Sequence, residues 1–252
     1  MIIRTDAVVL RGMDYGETSR IVTLLTRERG KVSVMARGAR LPGSRYGSTL
    51  QPMAYVEVVL YYRPTRGLQT LTESAHLQRF PGIGADLEKL AIGLQMVELT
   101  EALMQEEQQL PPVLDLLLAG LQRLDRAGER SANVWPFFRL RLAGLLGFAP
   151  SFERETVAAL PDEGGVLDPA SGAILSRPAP GITASRAALR AFAILARADL
   201  DAVMRLRLTD DVRREVDRLV EAFLRYHFDD VYPSRSARVV GRLLDARDGP
   251  VS

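Results

Sequence analysis

The chain has 252 residues, of which 47% are hydrophobic and 25% charged, a composition typical of a folded globular protein. It contains no cysteine and two histidines, which excludes disulfides, thiolate zinc sites and cysteine nucleophiles. The net charge of +2 conceals an asymmetry, because residues 1–80 hold 12 basic against 6 acidic side chains, and the remainder holds 21 against 25. No signal peptide and no apolar stretch of about 18 residues is evident, so we expect a cytoplasmic protein without membrane contact.

Residues 2–76 show the alternation and the β-branched content that are typical of short strands. Five strand-length runs are separated by turn-forming segments; they are Ile2–Leu10, Ser19–Thr26, Lys31–Arg37, Met53–Tyr62 and Leu68–Glu73. Short turns favour antiparallel neighbours, and five short strands of this kind fit a small barrel. We therefore predict a five-stranded OB-fold over residues 1–80, with an SH3-like barrel as the alternative.

After Phe80-Pro81-Gly82 the apolar spacing changes to three and four, which predicts a helical domain over residues 81–252. Apolar residues mark helices around 87–104, 113–128 and 133–147, two longer ones around 189–195 and 212–223, and a short terminal one around 239–244. Residues 151–182 interrupt this pattern with proline and glycine, so we predict an irregular insert with room for one hairpin. The predicted fold class is therefore α+β.

The most informative feature is a run of cations on the predicted strands. Seven basic residues face a single acidic one, Glu28; they are Arg20, Arg27, Arg29, Lys31, Arg37, Arg40 and Arg45. Val32, Val34 and Ala36 are expected to face the barrel interior, which leaves the cations on the solvent side or at its rim. A bend at Gly38 would let a phosphate approach closely between two guanidinium groups.

Four tyrosines near the predicted barrel surface offer stacking partners for bases, each contact being worth about 1 to 3 kcal/mol. They are Tyr15, Tyr46, Tyr61 and Tyr62. We predict a nucleic-acid site that consists of Arg20, Lys31, Arg37, Arg40, Arg45 and Tyr15. The alternative is a solvated basic face with the tyrosines packed inside the barrel, since basic surfaces without sequence-reading geometry are common.

No constellation of residues indicates catalysis. The carboxylate pairs Glu106-Glu107, Asp210-Asp211 and Asp229-Asp230 lie at predicted helix ends or turns, where solvated charge is the usual role. The glycine-rich turns precede neither Lys-Ser/Thr nor a βαβ unit, so they do not form a phosphate loop. We expect a binding protein with no catalytic residue, metal or cofactor; a nuclease, the alternative, would need clustered carboxylates and a divalent metal.

Successive blocks of the sequence resemble the RecO family of bacterial DNA repair and recombination mediators. The blocks are Arg4–Leu10, Asp14–Glu17, Gly30–Val32, Ala36–Arg40, Leu50–Pro52, Phe138–Leu140, Gly147–Pro150, Tyr226–Phe228 and Ser234–Ser236. The resemblance implies an N-terminal OB-fold, a helical body and action at the nucleoid. It also implies a protein that binds single- and double-stranded DNA, anneals complementary strands, and with its partner RecR helps load the recombinase RecA onto DNA coated with single-strand-binding protein.

The chain departs from the family pattern in the insert. Many family members carry two Cys-x-x-Cys pairs after the Gly-Phe-Ala-Pro position, whereas residues 155–159 and 172–178 contain no cysteine here. A four-thiolate zinc site therefore cannot form. The insert resembles a degenerate zinc module, and its shape must come from packing and turns unless it is mobile.

The resemblance further implies that the helical domain binds the acidic, apolar C-terminal tail of single-strand-binding protein. Arg139 and Arg141, beside Phe137 and Phe138, are candidates for the cationic edge of such a groove. The alternative is that both arginines only solvate one helix face. From the residues alone another class of function stays open, an RNA-binding OB-fold module whose helical body docks on a ribosome or RNA enzyme.

Overall fold

Five strands form the N-terminal part of the computed structural model, which describes residues 1–176 and 178–232. The strands are β1 (Ile2–Tyr15), β2 (Ser19–Thr26), β3 (Gly30–Ala36), β4 (Tyr55–Tyr61) and β5 (Leu68–Gln78). They close into a barrel in the order β1-β2-β3-β5-β4, in which only β3 and β5 pair in parallel. This arrangement is that of an OB-fold, and it confirms the predicted α+β fold over the SH3-like alternative.

The barrel interior follows the alternation of the sequence. Val32, Val34 and Ala36 are buried in its core, as predicted. Tyr46, from the loop after β3, closes the core and donates its hydroxyl to the Leu71 carbonyl at 2.9 Å. β1 extends past its predicted end because a bulge after Val9 bends the strand and lets it pair with β2 as far as Tyr15.

Three helices pack with the barrel into one compact unit, residues 1–126. They are α1 (Pro81–Gly84), α2 (Leu87–Leu103) and α3 (Pro111–Arg126). Val8 and Leu25 point away from the barrel core yet are buried, because α2 packs on this part of the sheet. The last barrel strand ends at Gln78, and the compact unit continues through these helices to Arg126, so the division at residue 80 stays a prediction.

A close backbone contact joins the β2–β3 turn to the segment between α2 and α3. Gly30 has a φ of +61°, and a Cβ at this position would lie 1.9 Å from the Gln108 carbonyl oxygen. The Glu107 amide donates to the Lys31 carbonyl at 2.8 Å, and the Gln109 side chain donates to the Glu28 carbonyl. Only glycine combines this left-handed backbone with so close an approach.

The second compact unit, residues 127–232, is mainly helical. Its helices are α4 (Val134–Leu145), α5 (Arg154–Ala158), α6 (Arg186–Arg197), α7 (Leu200–Arg205) and α8 (Asp210–Phe228). The sequence analysis missed α5 and α7, which are too short to show a helical period. The predicted terminal helix around 239–244 lies outside the described residues. No helix in residues 1–176 and 178–232 is both long and apolar enough to span a membrane.

The insert holds a small sheet in the order β7-β6-β8, one strand more than the predicted hairpin. The strands are β6 (Gly165–Leu167), β7 (Ile174–Leu175) and β8 (Ile182–Ala184). Glycines allow close packing here: a Cβ on Gly181 would lie 2.4 Å from the Leu167 carbonyl oxygen. Asp168 closes the β6–β7 turn. Its carboxylate accepts hydrogen bonds from the Ser171 hydroxyl and from the backbone amides of Ala170 and Ser171, and these bonds hold the pKa of the carboxyl below its usual range. Packing and turns therefore give the described insert its shape.

A buried arginine lies in the core of the helical unit. Arg139 of α4 is only 3% exposed, and it donates to Glu221 of α8 at 2.5 Å. Tyr232 donates to the same carboxylate at 2.9 Å, and burial raises the pKa of its hydroxyl to about 12. Burial also raises the pKa of Asp217, although the charge of Arg139 opposes that shift. Arg139 thus compensates two carboxylates.

Replacement of Gly30 tests the contact at the β2–β3 turn. We expect Gly30→Ala to lower the free energy of unfolding by about 3 kcal/mol, because it combines backbone strain with a clash. Gly16→Ala is the matched control, since Gly16 has a φ of +59° and a Cβ added there would have nothing within 4 Å. The control should lose about 1 kcal/mol from the left-handed backbone alone. Urea unfolding measures both, and equal losses would contradict the close contact.

Replacement of Arg139 tests the buried cation. We expect Arg139→Met to cost about 3 to 5 kcal/mol, because Glu221 and Asp217 lose their compensating charge. Asp217, whose pKa is already raised by burial, then takes up a proton more readily in the folded state, so the loss should shrink when the pH falls from about 8 to about 5. Arg141→Met, an exposed change on the same helix, should cost less than about 1 kcal/mol. A pH-independent loss measured by urea unfolding would argue against this role.

Candidate nucleic-acid interface

Five of the six residues predicted to bind nucleic acid lie at one end of the barrel, which we call the basic end. Tyr15 pairs with Ser19 where β1 meets β2, Arg20 pairs with Ala36, and Arg37 follows at the end of β3. The loop that leaves β3 returns to this end, where the Arg40 amide donates to the Thr18 carbonyl at 2.9 Å. Tyr46 anchors the same loop in the barrel core and so holds its neighbour Arg45 at this end. The basic end therefore consists of Tyr15, Arg20, Arg37, Arg40 and Arg45.

A single carboxylate serves two of these arginines. The Nε atoms of Arg20 and Arg40 lie 3.3 Å from the two oxygens of Asp14. Arg40 also donates through Nη1 to the Gly16 carbonyl at 2.8 Å, which ties its loop to the β1–β2 turn. These contacts position both guanidinium groups and leave a net positive charge between them.

Arg37 and Arg45 have no acidic partner among the described residues. Arg37 is exposed, and nothing in the described chain pairs with it. Arg45 is exposed with its guanidinium 5.1 Å from the centre of the Tyr46 ring, and its Nη2 donates to the Tyr46 hydroxyl at 3.2 Å. An arginine with several free N–H donors binds a phosphate readily.

Lys31 lies away from the basic end, at the other end of β3. Its ammonium donates to the Glu101 carbonyl at 2.9 Å and lies 3.7 Å from a Glu106 carboxylate oxygen. Its side chain is only 13% exposed. The structure therefore gives Lys31 a role in holding α2 against the barrel, and it does not bring this residue together with the other predicted site residues.

Only two of the four tyrosines that were predicted to face solvent do so. Tyr15 and Tyr61 are exposed, whereas Tyr46 and Tyr62 are 2% exposed. Tyr46 packs inside the barrel, as the alternative interpretation proposed, and Tyr62 packs beside Arg29, whose guanidinium lies 4.9 Å from its ring centre. The sequence could not distinguish these cases, because the hydroxyl of Tyr46 is satisfied inside the barrel by a distant residue, Leu71.

The sequence analysis missed a cation that accompanies Tyr61. The guanidinium of Arg63 lies 5.2 Å from the centre of the Tyr61 ring and its Nη2 lies 3.5 Å from the hydroxyl. This hydrogen bond and the arginine's charge lower the pKa of the Tyr61 hydroxyl. The available signal was an arginine two residues after an aromatic strand end, at the start of the basic turn that also contains Arg66.

The chemistry available at the basic end is recognition of an anion. In residues 1–176 and 178–232 no group of three or more histidine, aspartate or glutamate side chains is placed to hold a metal ion. Guanidinium groups, an exposed aromatic ring and backbone donors of a glycine-containing loop are the features of the site. These groups bind phosphates and stack on bases, irrespective of sequence.

The residues predicted to bind a partner tail do not form a groove. Arg139 is buried in its pair with Glu221, so it is not at the surface. Phe137 is also buried, at 5% exposure, and Arg141 lies over its ring at 5.9 Å. Local sequence could not show this, because Glu221 lies 82 positions beyond Arg139.

An apolar cavity elsewhere in the helical unit has a cationic edge. Its volume is about 450 Å³, and its apolar walls come from α5, α6 and Phe152. Arg190 donates to the Ala158 carbonyl at 2.9 Å, and Arg197 lies 4.0 Å from the centre of the Phe152 ring. Arg154 is exposed at the edge and has no acidic partner in the described residues. The described lining contains three arginines and no carboxylate; it consists of Phe152, Arg154, Val157, Ala158, Arg190, Ala193, Ile194, Arg197 and Ala198.

Comparison with known proteins places the chain in a family. Residues 1–80 match the family model for the N-terminal domain of recombination protein O, and residues 84–236 match the model for its C-terminal domain. The chain is 51% identical to the DNA repair protein RecO of Salinibacter ruber, over 98% of this chain and 96% of that protein. It is 35% identical to the RecO protein of Anaeromyxobacter dehalogenans, over 89% and 91% of the two chains. The RecO protein of Chloroherpeton thalassium is 29% identical, over 97% and 100% of the two chains. The chain therefore belongs to the RecO family of DNA repair proteins.

Proposed function

We propose that this chain is a recombination mediator that binds single- and double-stranded DNA through the basic end of its barrel. The observation that carries the proposal is the pair of exposed arginines, Arg37 and Arg45, at an end of the barrel where Asp14 is the only described carboxylate that compensates Arg20 and Arg40. Contacts of arginine with phosphate are independent of base sequence, so they suit both single strands and duplexes.

The proposed activities are annealing of complementary strands and, with RecR, help in loading RecA onto DNA coated with single-strand-binding protein. Annealing requires that two polyanions approach each other, and bound guanidinium groups reduce their repulsion by displacing counterions. This step needs neither a nucleotide cofactor nor a catalytic residue, so we propose a protein that is not an enzyme and acts at the nucleoid. Membership of a DNA repair family disfavours the RNA-binding alternative.

We further propose that the cavity between α5 and α6 receives the C-terminal tail of single-strand-binding protein. A tail with apolar side chains and a free carboxylate needs an apolar pocket with cations at its edge. The cavity offers apolar walls together with Arg154, Arg190 and Arg197. It replaces the edge that the sequence suggested at Arg139 and Arg141, because Arg139 is committed to Glu221.

The double variant Arg37→Ala/Arg40→Ala tests the basic end. It should weaken binding of single-stranded DNA and reduce the slope of log affinity against log salt by about 2, since about two phosphate contacts are lost. Fluorescence anisotropy at several salt concentrations measures both quantities. Arg205→Ala/Arg207→Ala is the matched control, because it removes the same charge from exposed positions of the helical unit. An equal effect of the two double variants would mean that net charge, not the basic end, determines binding.

Arg154→Glu tests the cavity. We expect this charge reversal to weaken binding of a peptide of the single-strand-binding protein tail by about tenfold or more, because like charges then meet at the cavity edge. Affinity for DNA should not change. Arg141→Glu is the control, since Arg141 is exposed in the same unit but does not line the cavity. If only the control variant loses peptide binding, the tail binds at the surface of α4 and not at the cavity.

A further inference from the structure

Another cavity lies within the first compact unit, and we call it the α1 cavity. Its volume is about 300 Å³. It is lined by residues from 48 to 54 in the loop before β4, residues from 76 to 80 at the end of β5, α1, and Leu90 of α2. None of its lining residues is among those predicted to bind nucleic acid. The α1 cavity is therefore distinct from the basic end in the residues that form it.

The walls of the α1 cavity are mainly apolar and offer several partners for an aromatic ring. Phe80, Pro52 and Pro81 supply flat faces, and Met53 supplies a thioether. Aromatic rings stack in offset or edge-to-face arrangements, and the sulfur of methionine contacts such rings favourably. These walls therefore suit a flat ligand better than a flexible aliphatic chain.

Met53 is held in an unusual backbone conformation at this wall. Its φ is +69°, which is uncommon for a residue other than glycine. Its amide donates to the Val9 carbonyl at 2.9 Å, and a Cβ on Gly93 of α2 would lie 2.4 Å from its sulfur. A contact on each side thus fixes a conformation that is unfavourable by itself. Strain that is maintained in this way is a common feature of ligand sites.

A histidine at the edge of the α1 cavity has an unsatisfied nitrogen. The Oγ atom of Ser48 and the Nε2 atom of His76 lie 3.0 Å apart. The other ring nitrogen of His76, Nδ1, is buried and has no hydrogen-bond partner in residues 1–176 and 178–232. Burial and, to a smaller extent, the charge of Arg79 lower the pKa of this imidazole, so it is neutral near pH 7. A buried polar atom without a partner costs free energy, which a polar atom of a ligand can offset.

Arg79 gives the α1 cavity its positive charge. It is exposed, and no acidic residue of the described chain pairs with it. The lining in the described chain contains no carboxylate, and the neutral His76 adds no charge. A ligand with one negative charge therefore complements this edge, and a guanidinium group binds a carboxylate through two parallel hydrogen bonds.

We propose that the α1 cavity binds a small aromatic carboxylate, with its ring against Met53 and Phe80 and its carboxylate at Arg79. Ligand cavities usually measure about 300 to 1,000 Å³, so a cavity at the lower end suits a ligand of about a dozen non-hydrogen atoms. The site goes beyond the proposed function and does not depend on it, because none of these residues belongs to the basic end.

The test follows the two histidines of the full chain by NMR during titration with 2-naphthoate. This probe should shift the imidazole signals of His76 with a dissociation constant of about 1 mM or lower, and should leave those of His227, in the helical unit, unchanged. 2-Naphthalenemethanol, which has the ring without the charge, should bind about fivefold more weakly. Acetate, which has the charge without the ring, should cause no shift at the same concentrations.

Replacement of Arg79 isolates the contribution of charge. Arg79→Gln should abolish the fivefold preference for 2-naphthoate and leave the affinity for 2-naphthalenemethanol unchanged. Arg66→Gln is the matched control, because Arg66 is an exposed arginine of the same unit that does not line the cavity. The control variant should keep the full preference. Circular dichroism verifies that both variants are folded.

Three results would overturn the inference. The first is the absence of a His76 shift, or an equal shift at His227, since binding would then be missing or unspecific. The second is equal affinity of the unmodified chain for the acid and the alcohol, because the cavity would then recognise only an apolar body. The third is displacement of 2-naphthoate by a thymidine oligonucleotide, which would assign the cavity to the nucleic-acid interface. Absence of DNA binding would overturn the proposed function alone, since the probe does not require the basic end.

Discussion

The contact between the β2–β3 turn and the segment after α2 determines which barrel surfaces are free. Gly30 brings the Gln108 carbonyl against the turn, and Lys31 donates to Glu101 from the same place. Arg27 reinforces this side of the barrel by bonding Asp6 of β1 at 3.1 Å and Asp115 of α3 at 2.9 Å. Because α2 and α3 are held here, they cover Val8 and Leu25 and leave the other end of β3 to solvent. The candidate interface is the part of the barrel that this contact does not occupy.

The same contact explains why the charge asymmetry of the sequence overstates the free positive charge. Arg27 and Lys31 belong to the basic segment, but Asp115 of α3 and Glu106 of the segment between α2 and α3 approach them within the folded unit. The excess positive charge of residues 1–80 is thus partly offset by carboxylates within the first compact unit. Part of the exposed positive charge lies where β1 and β3 end, and there no helix contributes a carboxylate among the described residues. A count of charges along the chain cannot distinguish the paired cations from the exposed ones, because the difference depends on which end of β3 faces the helices.

The sequence predicted those features that depend on local pattern. A period of two in residues 31–36 placed Val32, Val34 and Ala36 inside the barrel, and the structure confirms this. The predictions that the structure does not support involve partners far away in the chain. Tyr46 enters the core because the Leu71 carbonyl accepts a hydrogen bond from its hydroxyl. Arg139 is buried because the carboxylate of Glu221 offsets its charge. Burial of a polar group is favourable only with a partner, so its position cannot be read from neighbouring residues alone.

The phosphate contacts that the basic end of the barrel offers are suited to the annealing of DNA proposed for this chain. Phosphate contacts at the basic end are independent of sequence and weaken with salt, so they attract any strand and let it exchange. Such exchangeable contacts suit presentation of a strand for pairing better than its sequestration.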